Sequence, residues 1–129
     1  MNKIIKISVG FLLLTLMAFV TVPKIDNDCE ILHEGTFTYG NSENLVKVII
    51  KGKKHIEYHN NEKYYIKSKL DWVNECEYNM TITKVTLPNF PYGKGDIMNV
   101  KINKVEGDKI YFTSVVKQQS WSGVFTKIE

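Results

Sequence analysis

The chain has 129 residues, a formal net charge of +3 and two cysteines. All 17 basic residues are lysines. Because arginine makes most bidentate contacts to phosphates and base edges, its absence argues against specific nucleic-acid recognition. The lysines are interspersed with Asp and Glu, so we expect a solvated surface rather than a basic patch. About 105 residues follow an apolar N-terminal run, which is enough for one domain.

The N-terminal segment predicts export. Two lysines head an uncharged stretch from Ile7 to Val22, which as a helix spans about 24 Å. Starting at Ile4 it spans about 28 Å, close to the roughly 30 Å of a bilayer core. We therefore predict a signal peptide or an N-terminal membrane anchor over residues 1–23. If it stays uncleaved, residues 4–22 cross the membrane, with the lysines on the cytoplasmic side.

This prediction fixes the expected compartment. An anchored chain would face the periplasm or the cell exterior, and a cleaved chain would be periplasmic or secreted. Cys29 follows Asn27 and Asp28, where lipid attachment would need small or apolar residues. We therefore do not expect Cys29 to carry a lipid.

Cys29 and Cys76 are the only cysteines. In an exported chain, a lone pair is typical of a structural disulfide rather than a redox or metal site. The bridge would close a loop of about 48 residues, for which the chain-entropy model gives about 4 kcal/mol. The alternative is two free thiols. We assign residues 24–34 to a linker that carries Cys29, and residues 35–129 to a β domain.

Period-two alternation dominates the chain after Lys63 and predicts half-buried strands. One inward face would carry Tyr64, Ile66, Leu70 and Trp72. After a turn or bulge at Asn74, the next inward face would carry Cys76, Tyr78, Met80 and Ile82. Further strands are predicted over Thr36–Tyr39, Leu45–Lys51, Lys54–His59, Ile97–Val105, Lys109–Lys117 and Trp121–Ile128.

The connections between these strands predict the fold class. Turn formers around Gly52, Asn60 and Gly107 are typical of hairpins, whereas the Leu87–Gly95 connector has two prolines and two glycines. About eight short strands without an amphipathic helix favour an all-β fold, a small antiparallel barrel or sandwich. The absence of β-α-β alternation excludes a nucleotide-binding α/β fold.

Aromatic residues supply the candidate binding sites. Trp72, Tyr78 and Phe112 would line an internal ligand pocket if the interior is hollow. The alternative is that they fill the core, which the short strands favour, because an eight-stranded barrel either packs solid or holds one small ligand. Phe90 and Tyr92, in the long connector, are predicted to form a surface contact loop.

No catalytic, cofactor or metal site is predicted. His55 and His59 lie about 13 Å apart on a straight strand, too far to bind one metal ion together. With Glu57 they are expected to form a polar, outward face. No serine lies in a nucleophile-elbow motif. An enzyme would need a cleft that unites His55 or His59 with Glu57 or Glu77.

Three segments carry a resemblance to a known family: Cys29–Phe37, His55–Tyr58 and Trp72–Tyr78. Together with the strand from Gly123 to Lys127, they resemble a family of small exported proteins of Bacteroidota, over nearly all of the chain after the apolar run. Some relatives carry a topoisomerase IV label, which this short chain without arginine does not support. The resemblance implies a lipocalin-like β fold and carries over no catalytic residue.

These observations together predict an exported, non-catalytic binding domain of the cell envelope. Its partner would be a small apolar ligand or an envelope protein, and the membrane itself if residues 4–22 stay attached. The alternatives are a structural envelope protein without a ligand and an envelope enzyme.

Overall fold

The computed structural model describes residues 28–129, which form one closed antiparallel barrel. A 3₁₀-helix, Cys29–Leu32, precedes eight strands. The strands are β1 Glu34–Tyr39, β2 Val46–Lys51, β3 Lys54–His59, β4 Tyr64–Asn74, β5 Glu77–Val85, β6 Ile97–Glu106, β7 Lys109–Val116 and β8 Gln119–Lys127. Each pairs with the next, and β8 returns to β1. The all-β prediction is confirmed, and of its two forms the barrel is the correct one.

The predicted signal peptide or anchor over residues 1–23 lies outside the described residues. Within residues 28–129, no helix has the length and apolar character needed to cross a membrane. The predicted linker contains the 3₁₀-helix, and the barrel begins at Glu34.

Tight turns set the register between neighbouring strands. Gly52 and Gly107 each take the first position of a two-residue turn, with a φ of 60° in both. Because glycine reaches positive φ without steric penalty, both turns match the hairpins predicted there.

A register shift between Trp72 and Asn74 confirms the predicted irregularity between β4 and β5. The Asn74 side-chain oxygen accepts a hydrogen bond from the Cys76 backbone N–H at 2.8 Å. Cys76 therefore lies in the turn before β5 and not on the inward face of the strand, where it was predicted.

A disulfide closes one end of the barrel, which we call the helix end. Cys29 and Cys76 are bonded, with their Cα atoms 5.2 Å apart. This confirms the predicted bridge and excludes free thiols. The bridge holds the 3₁₀-helix against the β4–β5 turn, so that Leu32 is fully buried in the core. His33 adds a second attachment, because its ring stacks on Trp72 at 3.6 Å between centroids.

The barrel closes at a seam between β1 and β8 that is shorter than its other contacts. Only two residue pairs define its register, compared with six between β1 and β2. Thr36 extends the seam, since its N–H donates to Glu129 and its carbonyl accepts from Ile128. Lys127 crosses the seam at the helix end, where its Nζ donates to the Ile31 carbonyl at 3.0 Å.

A missing side chain makes room for the central aromatic pair. Phe112 and Phe125 stack with centroids 4.2 Å apart. A Cβ atom on Gly123 would lie 2.7 Å from Cζ of Phe112. Gly123 therefore lets the Phe112 ring lie flat against β8, where it stacks on Phe125.

Candidate functional site at the barrel mouth

The barrel leaves a cavity of about 100 Å³ in the half remote from the 3₁₀-helix, which we call the mouth. Seven aromatic residues line it: Tyr39, Tyr78, Phe90, Tyr92, Phe112, Trp121 and Phe125. Met80 and Met98 add flexible thioether side chains, which adapt readily to ligands of irregular shape. An apolar protein cavity of about 150 Å³ can hold benzene. This cavity therefore fits a somewhat smaller molecule.

The structure separates the three residues predicted to line an internal pocket. Tyr78 and Phe112 are buried and line the cavity. Trp72 packs against Tyr78, with 4.8 Å between ring centroids, but belongs to the helix end, where it also stacks on His33. The alternation of apolar and polar residues along a strand predicts whether a side chain faces the interior or the solvent. It does not predict how far along the barrel axis the side chain lies.

Phe90 and Tyr92, predicted as a surface contact loop, fold over the mouth. Both are half-buried and line the cavity. Their rings meet edge to face, 5.6 Å apart. The Tyr92 hydroxyl donates a hydrogen bond to Oε1 of Gln119 at 2.7 Å. The loop therefore acts as part of the cavity wall and is attached to the β7–β8 hairpin.

A second contact attaches this loop to the same hairpin. Nζ of Lys117 lies 3.2 Å from Oδ1 of Asp96, and Oδ2 of Asp96 accepts the Gly93 N–H at 2.9 Å. The Gly93 hydrogen bond, followed by the Lys117 contact, lowers the pKa of Asp96. We call the Tyr92–Gln119 and Lys117–Asp96 contacts the latch, because together they hold the loop against the β7–β8 hairpin.

Strained backbone occurs beside the latch, as it also does at Glu62 in the β3–β4 turn. Lys117 and Gln118 form the two-residue turn between β7 and β8 with φ values of 45° and 67°. Side chains other than glycine, asparagine and aspartate rarely adopt this left-handed conformation. Strained backbone often occurs where a segment has to be held in, or released from, one position.

The outward face predicted for His55, Glu57 and His59 is wrong. His55 is 3% exposed, and both His55 and Glu57 line the cavity. The register explains the error, because Glu57 pairs with the inward residue Ile66 of β4. β3 therefore presents its polar side to the interior and Ile56 to the outer surface.

The inward side of β3 builds a polar cluster around Glu57. The Tyr39 hydroxyl donates a hydrogen bond to Oε1 of Glu57. Nε2 of His59 lies 3.6 Å from Oε2 of Glu57, beyond hydrogen-bond distance. Burial, with a further contribution from the Glu57 charge, raises the pKa of Tyr78. The structure thus brings together one pair that an enzyme would need, Glu57 and His59, while Glu77 lies apart from it on β5.

His55 supplies a second buried polar group. Its Nδ1 atom has no hydrogen-bond partner in the described part of the chain, and neither has the hydroxyl of Ser68, its cross-strand neighbour. Burial lowers the pKa of His55 to about 4, against a small opposing effect of a backbone hydrogen bond. The imidazole is therefore neutral at pH 7. Among residues 28–129, no group of three or more metal-binding side chains forms.

Sequence reasoning missed a clustering of lysines on the outer wall. Lys51, Lys54 and Lys69 form one row across β2, β3 and β4, since each pairs with the next in the register. Lys67 and Lys84 face each other in the adjoining row. Like charges placed directly opposite in a sheet are unfavourable. This lysine cluster could be recognised only once the strand register was known, because these lysines are dispersed in the sequence.

Comparisons with known proteins add no identification. No protein-family model, curated protein or solved structure matches the chain. The resemblance to small exported proteins of Bacteroidota therefore stays a prediction. The geometry of the barrel and its cavity carries the functional argument.

Proposed function

We propose that this chain is an exported, non-catalytic binding domain of the cell envelope that takes a small, largely apolar ligand into the mouth of its barrel. The observation that carries the proposal is the cavity of about 100 Å³ with its aromatic lining and its latched loop. A protein that needed only a packed core would gain stability by filling this space, since cavities lower stability.

The architecture supports this proposal. An eight-stranded up-and-down barrel has an interior wide enough for one small ligand, as in lipocalins. Ligand pockets are mostly apolar, with a few polar groups that fix orientation. Here the Phe112–Phe125 pair provides the apolar wall, and Glu57 with Tyr39 provides the polar groups.

The disulfide and the N-terminal sequence support export. Structural disulfides persist in oxidising compartments and are rare in the cytosol. The bridged pair Cys29–Cys76 follows a lysine-headed apolar run. Both features are typical of a domain that folds outside the cytoplasm.

The latch defines how a larger ligand would enter. Many ligand pockets have volumes of about 300 Å³ or more, so the present cavity corresponds to a closed state for any such molecule. Breaking the Tyr92–Gln119 hydrogen bond and the Lys117–Asp96 ion pair would release the loop from the β7–β8 hairpin and enlarge the mouth, while Gly95 and Asp96 keep their backbone hydrogen bonds to Ile82. A ligand of a few atoms would fit without this movement.

Native mass spectrometry of the full-length protein purified from the envelope tests the proposal. We expect a bound small molecule in the wild type and its loss in Ser114→Leu, which fills the cavity from β7. Ser122→Leu, on the outer surface of β8, is the matched control and should keep the molecule. Thermal melting of both variants checks that the barrel is intact. Ligand-free wild type, or a molecule retained by folded Ser114→Leu, would refute binding in this cavity.

The same experiment addresses the two alternatives. A structural envelope protein would be purified without a ligand and would tolerate Ser114→Leu in the cell. The Glu57–His59 contact is the observation that favours an enzyme, because a carboxylate beside an imidazole is a common acid–base arrangement. Within residues 28–129, however, no serine or threonine hydroxyl forms a hydrogen bond to His55 or His59. Recovery of the molecule unchanged after prolonged incubation supports binding without catalysis.

A further inference from the structure

We infer that the ligand of this cavity is a small organic cation, such as a short alkylammonium ion, whose charge is held by Glu57 and by the aromatic walls. This inference rests on the proposed function and specifies the chemistry of its ligand. It differs from the purely apolar ligand expected from the sequence.

The Glu57 carboxylate has no lysine partner among the described residues. The lysine ion pairs in the described part of the chain involve Glu62, Asp96 and Glu106, which lie on the surface or at the latch. None connects a lysine to Glu57, although its side chain is only 12% exposed. The basic group beside Glu57 is the His59 imidazole, 3.6 Å from Oε2, which is charged only when it is protonated. A carboxylate removed from water is unfavourable unless it is paired and hydrogen-bonded. A cationic ligand would supply a permanent positive charge beside this carboxylate.

The hydrogen bonding of Glu57 shows where that charge would bind. Tyr39 occupies Oε1 as a donor. Oε2 accepts no hydrogen bond within residues 28–129, and His59 stops 3.6 Å from it. An ammonium group has N–H donors to offer, and charge-assisted hydrogen bonds of this kind are about twice as strong as neutral ones. Oε2 is therefore the expected acceptor.

The aromatic lining of the cavity also favours a cation. The faces of Trp, Tyr and Phe rings attract cations, and this attraction grows when water is excluded. Tyr39 joins the two features, because its hydroxyl contacts Glu57 and its ring meets Phe125 edge to face at 5.6 Å. Five lysine–ring contacts occur among the described residues, on Phe37, Tyr64, Tyr65 and Tyr111. None of these rings lines the cavity, so no lysine of the described residues occupies an aromatic face of the lining.

The polar groups of the lining also discriminate against other ligands. No lysine lines the cavity, and His55 is neutral at pH 7, so an anion would lack a counter-charge. A purely apolar ligand would leave Oε2 of Glu57 without a donor. The volume of about 100 Å³ corresponds to roughly three or four water-sized groups. Isopropylammonium, with a charged head and two methyl groups, matches these constraints.

The test compares isopropylammonium with isopropanol, which has the same carbon skeleton and no charge. Full-length protein labelled at the methionine methyl groups reports binding through the NMR shifts of Met80 and Met98, which line the cavity. We expect isopropylammonium to bind at least tenfold more tightly than isopropanol. Glu57→Gln should remove most of this difference, because it takes away the charge that the ammonium group contacts and weakens isopropylammonium binding far more than isopropanol binding. Glu106→Gln, an exposed carboxylate on the far side of β6, is the matched control and should change neither affinity.

The outcomes separate this inference from the proposed function. Equal affinity for the two probes in the wild type would overturn the cationic ligand while supporting a binding cavity. An absence of shifts at both methionines with either probe would overturn both proposals. If Glu57→Gln does not fold, the comparison of the two probes on the wild type still decides the question.

Discussion

Removal of the Cys29–Cys76 bridge should destabilise the domain mainly because the unfolded chain gains conformational entropy. The two cysteines are 47 residues apart in the sequence, and the chain-entropy model assigns about 4 kcal/mol to a loop of this length. The native helix end keeps other attachments, namely the buried side chain of Leu32 and the stack of His33 on Trp72. The double variant Cys29→Ala/Cys76→Ala should therefore still fold. Its free energy of unfolding should be lower by about 4 kcal/mol, and its Tm by roughly 15–30 °C.

Urea denaturation and stopped-flow kinetics measure this effect and its origin. Because the bridge restrains the unfolded chain, its loss should slow folding more than it accelerates unfolding. The oxidised wild type with an intact bridge is the reference, and wild type reduced with dithiothreitol should reproduce the values of the double variant. A stability within about 1 kcal/mol of the reference would refute the loop-entropy argument. An effect confined to the unfolding rate would instead assign the stabilisation to native packing of Cys29.

Three further predictions concern the pH dependence, the lysine rows and the strained turn. The pKa of His55 is lowered from 6.5 to about 4, so on acidification the unfolded state takes up a proton at this residue before the folded state does. The free energy of unfolding should therefore fall by about 3 kcal/mol as the pH decreases from 6.5 to 4. Urea titrations of His55→Gln should lack this decrease. Lys69→Glu creates an opposite-charge pair with Lys54 and should raise Tm by about 1–4 °C at low salt. The control Lys101→Glu places a glutamate opposite Glu77 and should lower Tm. Equal shifts in Tm for the two variants would contradict the effect of cross-strand charge pairing. Gln118→Gly removes the steric cost of a non-glycine residue at a φ of 67°. The free energy of unfolding measured by urea titration should rise by about 1 kcal/mol. An unchanged urea midpoint would show that the turn is not strained.

The sequence predicted the strands well because most of them follow the rule of one apolar and one polar face. The six strands that were predicted with explicit bounds begin and end within two residues of those bounds, and the irregularity at Asn74 lies where expected. β3 was misjudged because its inward side carries polar residues. Ile56 and Tyr58 form the more apolar side of β3, although this side faces outward. A cavity with polar groups reverses the usual pattern, so the error coincides with the candidate site.

Other features of the site depend on relations between distant segments. Trp72 has the expected side but lies at the helix end, because sequence alternation does not report position along the barrel axis. The closure of the mouth by Phe90 and Tyr92 depends on contacts with β8, 27 residues further along the chain at Gln119. A loop's composition predicts its irregular shape, whereas its docking partner follows only from the closed barrel.

The short seam between β1 and β8 has a consequence for self-association. The seven other strand pairings join neighbours in the sequence and reform locally, while this one joins the two ends of the sheet. Its two register pairs, Phe37 with Lys127 and Thr38 with Thr126, make it the first pairing expected to separate. The barrel would then become an open sheet with two unpaired edges, each able to recruit the complementary edge of another molecule. The hydrogen bonds of Lys127 to the helix end thus act against strand exchange between copies of the domain.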